Sequence, residues 1–182
     1  MTISKMAGVL GALLVLGWPA QAQHHSSKGE ATAMPYAGLE TRRIKALSDQ
    51  QIADLMAGRG MGLALAAELN GYPGPLHVLE HAETLHLSEE QRSQTIAKID
   101  AMKAETVAIG ERLIMKEAEL DRLFSARVVS PALLETVVSQ IAAAQGELRV
   151  AHLRYHLKMV DLLSPAQVAH YATLRGYSRG SQ

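Results

Sequence analysis

The chain contains no cysteine among its 182 residues, and this absence excludes whole classes of structure. Disulfide bonds, thiol catalysis and a lipid-modified cysteine anchor all need this residue. Aromatic residues are also few, at 4% of the chain, with a single Phe and a single Trp. Stability must therefore come mainly from aliphatic packing, and the abundance of Ala, Leu, Met, Glu and Gln favours helices over sheets.

Neither sign of charge is in excess, because 18 Lys and Arg residues balance 18 Asp and Glu residues. A neutral chain lacks the basic surface that binds nucleic acid or anionic lipid. The sequence has no nucleophile elbow and no helical His-Glu-x-x-His motif. The glycine-rich segment between Gly58 and Gly74 lacks the Gly-Lys-Ser/Thr of a phosphate-binding loop. We therefore expect a protein that is not an enzyme, requires no cofactor and does not bind nucleic acid.

The first 22 residues have the pattern of a secretory signal peptide. Lys5 precedes an apolar run at residues 9–16, and Ala20-Gln21-Ala22 has the small-x-small pattern that signal peptidase cleaves. The run is shorter than the ~20 apolar residues of a membrane-spanning helix, although an uncleaved membrane anchor is the alternative interpretation. The sequence predicts export to the periplasm with cleavage after Ala22. Residues 23–46 are polar and aperiodic and are predicted to be disordered.

Three Leu-Ser-x-x-Gln boxes, which begin at Leu47, Leu87 and Leu163, organise the rest of the chain. In such a box the serine hydroxyl accepts a hydrogen bond from a backbone N–H three residues later, and the glutamine side chain accepts one from the serine N–H. Each box therefore predicts the start of a helix, and Pro165 suits the first helical position of the last one. The predicted organisation is short helices with Gly- and Pro-rich turns at 47–74, a main domain at 75–177 and a tail at 178–182.

Two long apolar seams follow the second box at steps of three and four residues, the spacing of one face of a helix. A break at residues 128–131 separates them. The sequence predicts an all-α fold, with a long antiparallel helical hairpin and shorter flanking helices. Leu153 and Leu157 lie off the second seam, and we expect the shorter helices or the second subunit of a homodimer to cover them. The first seam is Ile99, Met102, Thr106, Ile109, Leu113, Lys116, Leu120 and Leu123, and Thr106 and Lys116 interrupt it. The second seam is Leu134, Val137, Ile141, Ala144, Leu148, Ala151, Tyr155 and Leu162, with Lys158 as its one polar step.

Four of the eight histidines form two pairs spaced i, i+4: His77 with His81, and His152 with His156. Residues at this spacing share one face of a helix, so each pair offers two imidazoles to one metal ion. Met159 follows His156 by about one helical turn and adds a thioether. Since both pairs are expected near the open end of the hairpin, one interpretation is a shared site for Cu, Zn, Ni or Co. The other is that these histidines flank apolar stripes as structural boundary residues.

Cleavage after Ala22 also predicts a mature chain that starts Gln23-His24-His25. A histidine in third position allows the free amine, two backbone amides and the imidazole to bind Cu(II) or Ni(II) in a square plane. His24 and His25 are therefore a second candidate metal site, provided that cleavage falls at this position and Gln23 does not cyclise.

At residues 87–91 and 163–167 the sequence resembles the periplasmic Spy/CpxP-type proteins, whose hallmark is a repeated Leu-Thr-x-x-Gln motif, and the related heavy-metal-resistance proteins. The resemblance covers roughly residues 75–176, and serine replaces threonine in both motifs. It implies a hooked four-helix hairpin, usually dimeric. Members of the family bind unfolded envelope proteins without ATP, restrain stress-signalling kinases or sense metals.

Two departures from the family pattern bear on these functions. Chaperone members are basic on their concave face, whereas this chain is neutral. Metal-sensing members carry a His-x-x-x-His that His77 and His81 match. They also carry a His-x-x-x-Met, in which Tyr155 here replaces the histidine and His156 stands one step along. The resemblance implies a periplasmic stress-response protein that binds partly folded envelope proteins. The alternatives are a heavy-metal sensor or metal-binding protein, and a protein that contacts a membrane-bound sensor.

Overall fold

A computed structural model describes residues 34–177 of the chain. Within this range the regular structure is helical, apart from an isolated bridge between Ile44 and Leu47. The all-helical prediction is therefore confirmed. No helix of the described residues is long and apolar enough to cross a membrane. The helices are a 3-10 turn at Leu39–Thr41, then α1 (Asp49–Met56), α2 (Leu65–Glu68), α3 (Pro75–Glu80), α4 (Glu89–Ser125), α5 (Pro131–Leu162) and α6 (Pro165–Leu174).

The three boxes start helices α1, α4 and α6. In each of them the serine hydroxyl accepts from the backbone N–H of the glutamine, whose side chain accepts from the serine N–H. These contacts satisfy N–H groups that the first turn of a helix otherwise leaves without partners. Helix α5 starts with Ser130 as its cap and Pro131 in its first turn. The helix starts that the boxes predict are thus confirmed.

Helices α4 and α5 are the longest elements and pack against each other. Glu105 near the middle of α4 accepts from Arg154 Nη1 at 2.8 Å, whereas Arg112, further along α4, pairs with Glu147, which lies earlier in α5. The contacts therefore run in opposite order along the two helices. Each fully buried aliphatic side chain between them contributes about 1.5–3 kcal/mol. The buried aliphatic residues that the two helices contribute to the main core are Ile109, Leu113, Leu123, Val137, Ile141, Ala144, Leu148 and Ala151.

Helix α1 lies against α4, and two glycines allow the close approach. A Cβ atom on Gly110 of α4 would lie 2.8 Å from the carbonyl oxygen of Leu55, so the α1 backbone occupies the space of a side chain. Gly58, just after α1, has a φ of 65°, and a Cβ there would lie 2.7 Å from Thr106 Oγ1. Ile52 and Leu55 complete the core on this side.

Ordered structure begins earlier than Leu47. Ile44 is 4% exposed and belongs to the core that α1, α4 and α5 share. Lys45 forms an ion pair with Asp121 of α4 at 3.4 Å. The boundary that the sequence placed at residue 46 is therefore wrong for this stretch, because one buried isoleucine in a turn leaves no periodic pattern. The preceding residues 34–37 form a turn closed by a bond from Ala37 N–H to the carbonyl of Met34. The predicted signal peptide at 1–22 and tail at 178–182 lie outside the described residues.

A second apolar cluster joins α3, the end of α5 and α6. It contains Val78, Ala82, Leu85, Leu87, Met159, Leu163 and Tyr171. Beside it the last two boxes contact each other. Gln91 Nε2 donates to Gln167 Oε1 at 3.0 Å, and Gln167 Nε2 donates back to Gln91 Oε1 at 3.0 Å. The two helix starts are thus fixed side by side at this end of the α4/α5 pair.

Candidate functional site

The segment at residues 57–74, named the strap here, connects α1 to α3 and lies against α5. Three of its glycines, Gly58, Gly62 and Gly71, have positive φ values, which glycine adopts without steric cost. A Cβ atom on Gly60 would lie 4.0 Å from His152 Nδ1, and one on Gly74 would lie 3.0 Å from Cε1 of His156. The glycine-rich composition thus lets the strap backbone cover two histidines of α5.

Glu68 is the centre of a buried polar cluster between the strap and α6. The residue is 7% exposed. Its Oε1 accepts a hydrogen bond from the hydroxyl of Tyr171 on α6, and its Oε2 accepts one from Gly74 N–H at 3.1 Å. Arg175 Nε lies 3.7 Å from Oε1 and supplies a compensating positive charge. The carboxylate is therefore well satisfied despite its burial.

Tyr171 is held as a hydrogen-bond donor by its surroundings. Burial raises the pKa of this phenol well above its ordinary value, and the hydrogen bond to Glu68 raises it further. Its side chain is 1% exposed and packs in the second apolar cluster. The hydroxyl therefore stays protonated across the physiological range and donates to the carboxylate.

The two histidines beneath the strap differ in their partners. His156 Nδ1 lies 2.7 Å from the carbonyl oxygen of Tyr72 and 3.6 Å from Glu68 Oε2. A carbonyl only accepts, so Nδ1 carries a proton. His152 is 3% exposed, and its Nε2 has no hydrogen-bond partner among the described residues. Burial, and then the nearby His156, lower the pKa of His152, which favours its neutral form.

The predicted metal ligands are spread over different surroundings. His77 Nδ1 lies 2.8 Å from Glu80 Oε2 near the surface. His81 packs against the edge of Tyr171, with ring centroids 6.5 Å apart, and Met159 is fully buried in the second apolar cluster. Across residues 34–177 no three His, Asp or Glu side chains are grouped to hold a metal ion. His24 and His25, the other predicted site, lie outside the described residues.

An apolar groove lies beside this cluster, between the strap and α6. Its volume is about 530 Å³. The residues of α6 that line the groove are spaced by three and four residues, so they share one face of the helix. Tyr171 is not among them and is buried, so its side chain contributes to the polar cluster and not to the groove. The lining residues are Leu69, Gly71, Val160, Leu163, Pro165, Val168, Ala169, Ala172, Thr173 and Tyr177.

Exposed leucines extend this apolar surface. Leu69, on the wall of the groove, is 55% exposed, and Leu65, one turn earlier in the strap, is 56% exposed. Leu157, one turn before Val160 on α5, is 55% exposed. The sequence predicted an apolar strip at Leu157, but not the contributions of the strap and α6. The signal for α6 was its three- and four-residue spacing of Val and Ala.

No family model, curated protein or solved structure matches the chain.

Proposed function

We propose that the protein is exported to the periplasm and binds apolar segments of partly folded envelope proteins, in a chaperone-like way that needs no ATP. The observation that carries this proposal is the groove between the strap and α6, together with the exposed Leu65, Leu69 and Leu157 around it. Apolar surface that is contiguous and open to solvent marks interaction sites on soluble proteins.

The lining of the groove suits a ligand that varies in sequence. It consists mainly of aliphatic side chains and alanines, with Thr173 and Tyr177 as its polar members. Burial of apolar surface is non-directional, so many different apolar segments gain similar free energy there. The buried carboxylate beside the groove, Glu68, already has partners within the fold and does not demand a specific group from the ligand.

The resemblance to the Spy/CpxP-type proteins supports the same function. We propose that α4 and α5 form the hairpin of that family, with α3 and α6 at its open end, and that two copies associate. Exposed valines on α5, Val138 at 44% and Val150 at 52%, are apolar surface that a second copy would cover. Such a dimer would carry two grooves.

The proposal is tested by the aggregation of a chemically denatured client protein on dilution. We expect the purified protein at equimolar ratio to slow aggregation. Ala169→Glu, which places a charge in the groove at an exposed position, should weaken this protection several-fold, because a charge opposes apolar burial.

Ala108→Glu is the matched control. Ala108 is also exposed and helical, but it lies on α4 and does not line the groove. This variant should protect the client as well as the unmodified protein does. If the unmodified protein fails to slow aggregation, or if both variants lose protection equally, the groove is not the binding site.

A further inference from the structure

One buried hydrogen bond joins the two walls of the groove. Leu69 of the strap lines one wall, and the preceding residue is Glu68. Ala172 of α6 lines the opposite wall, and the preceding residue is Tyr171. The bond from the Tyr171 hydroxyl to Glu68 Oε1 therefore ties the strap to α6 directly behind the groove.

Apolar packing holds much of the strap only weakly. Met61, Leu65, Leu69 and Tyr72 are all exposed, by 39% or more. The buried residues of the strap are Ala67, Glu68, Pro73 and Gly74, and Leu63 packs partly against the main core. Few large apolar side chains thus anchor the strap, and local stability follows the number of such contacts. Its position depends heavily on polar contacts at Glu68 and at the carbonyl of Tyr72.

A glycine with a positive φ lies on each side of helix α2. Gly62 has a φ of 79° and Gly71 a φ of 87°. A Cβ on Gly71 would meet no atom within 4 Å, so the space around it is open. Backbone rotation at these positions would turn α2 as a unit without a steric barrier from a side chain.

We propose that the Glu68–Tyr171 bond is a latch and the strap is a lid that forms one adjustable wall of the groove. When the latch opens, the strap moves away from α6 and the groove admits larger apolar side chains. The role of the lid in admitting a protein ligand rests on the proposed function. The latch itself is independent of any ligand.

The surroundings of Glu68 make the latch reversible. When Tyr171 leaves, Arg175 is near enough to follow the Glu68 carboxylate with its flexible side chain. The Arg175 side chain is 28% exposed and is not locked in the core. Opening therefore breaks the bond from Tyr171 to Glu68, and the approach of Arg175 keeps the buried carboxylate paired.

The test is amide hydrogen exchange of the purified protein and of Tyr171→Phe, which keeps the buried ring and removes the hydroxyl. We expect amides at residues 65–72 to exchange roughly ten-fold faster or more in the variant, because a hydrogen bond to a charged group is lost. Amides in the middle of α4 and α5 should exchange at unchanged rates.

Tyr155→Phe is the matched control. It removes a bond of the same type, from Tyr155 to Glu105 at 3.3 Å, between α5 and α4. It should leave strap exchange unchanged. Equal strap exchange in the unmodified protein and in Tyr171→Phe overturns the latch, as does an equal increase in both variants. If Tyr171→Phe does not fold, Glu68→Gln replaces it, because this variant keeps a carbonyl acceptor and loses the charge. Strap exchange in Glu68→Gln should rise, by less than the increase expected for Tyr171→Phe. Unchanged strap exchange in Glu68→Gln overturns the latch.

A second readout separates the latch from the proposed function. Binding of an apolar fluorescent dye should rise in Tyr171→Phe, because the groove is wider. Faster strap exchange without any change in dye binding or client protection leaves the latch established and contradicts the groove as the binding site.

Discussion

His152 is the residue whose surroundings make the clearest prediction about pH. Its Nε2 is buried without a partner among the described residues, and burial together with His156 lowers its pKa from 6.5. The unfolded chain, where this histidine has its ordinary pKa, therefore binds the proton more readily than the folded protein does. Stability from this group is fully present above pH 6.5 and is lost as the pH falls from there toward the lowered pKa.

The measurement is the midpoint of thermal unfolding between pH 7.5 and 5. We expect it to fall with acid in the unmodified protein and to fall less in His152→Leu, which does not titrate. His170→Gln is the control, because His170 is exposed on α6. An identical acid response in His152→Leu and in the unmodified protein contradicts the prediction.

The spacing of the histidine pairs predicts which residues share a helix face, but not what surrounds them. The i, i+4 spacing correctly places His152 and His156 together on one buried side of α5. It contains no information about what covers them, since the carbonyl of Tyr72 and the carboxylate of Glu68 come from a segment more than 80 residues earlier. For the same reason the sequence did not predict the bond between Glu68 and Tyr171.

At the scale of elements, local signals predicted most helix starts. The boxes and the Ser130-Pro131 cap are local chemistry, satisfied within one turn, so a sequence window of four residues identifies them. The apolar seam of α5 was likewise predicted from its spacing of three and four residues, and Val137, Ile141 and Leu148 are buried as expected. Ile44 and the strap were missed or left open because their order depends on distant contacts, which periodicity does not report.

The packing of α1 on α4 depends on the absence of a side chain at Gly110. Gly110→Ala would place a Cβ 2.8 Å from the carbonyl oxygen of Leu55, and a backbone atom moves only if the whole of α1 shifts. We expect this variant to lower the free energy of unfolding by about 1–3 kcal/mol, as overpacking does. Urea unfolding measures the difference.

Gly146→Ala is the matched control within the other long helix. A Cβ at Gly146 meets no atom within 4 Å. Alanine is the better helix former, so the variant should be more stable by up to about 1 kcal/mol. Opposite signs for the two substitutions are required, and a stabilising effect of Gly110→Ala is incompatible with the contact between Gly110 and Leu55.

In the whole molecule, the groove forms only when the chain has folded. Its walls come from the strap, the end of α5 and α6, which are separated in sequence and come together only in the folded chain. The sequence predicted a helical hairpin from the break at residues 128–131, but not which surfaces would stay open. Apolar residues on short helices have too few turns to show which face is buried.

The two glutamines that close this end make the last prediction. Gln91 and Gln167 each accept the N–H of their own capping serine and donate to the other glutamine. Each also donates to a backbone carbonyl just before the other box. Gln91 donates to the carbonyl of Leu162 at 3.1 Å, and Gln167 donates to the carbonyl of Leu85 at 3.2 Å. One side chain thus serves both as a cap and as a bridge between helix starts more than 70 residues apart.

Replacement by alanine separates the two roles. Gln91→Ala and Gln167→Ala should each lower the free energy of unfolding by about 1–3 kcal/mol, because buried partners lose their hydrogen bonds. Gln51→Ala, whose glutamine bonds within its own box, should cost only about 1 kcal/mol or less. In urea unfolding, the Gln91/Gln167 double variant should lose less than the sum of the two single losses, since both remove the same mutual bonds. Strict additivity would mean that the boxes act only as separate caps, and that the bonds between Gln91 and Gln167 do not hold the starts of α4 and α6 together.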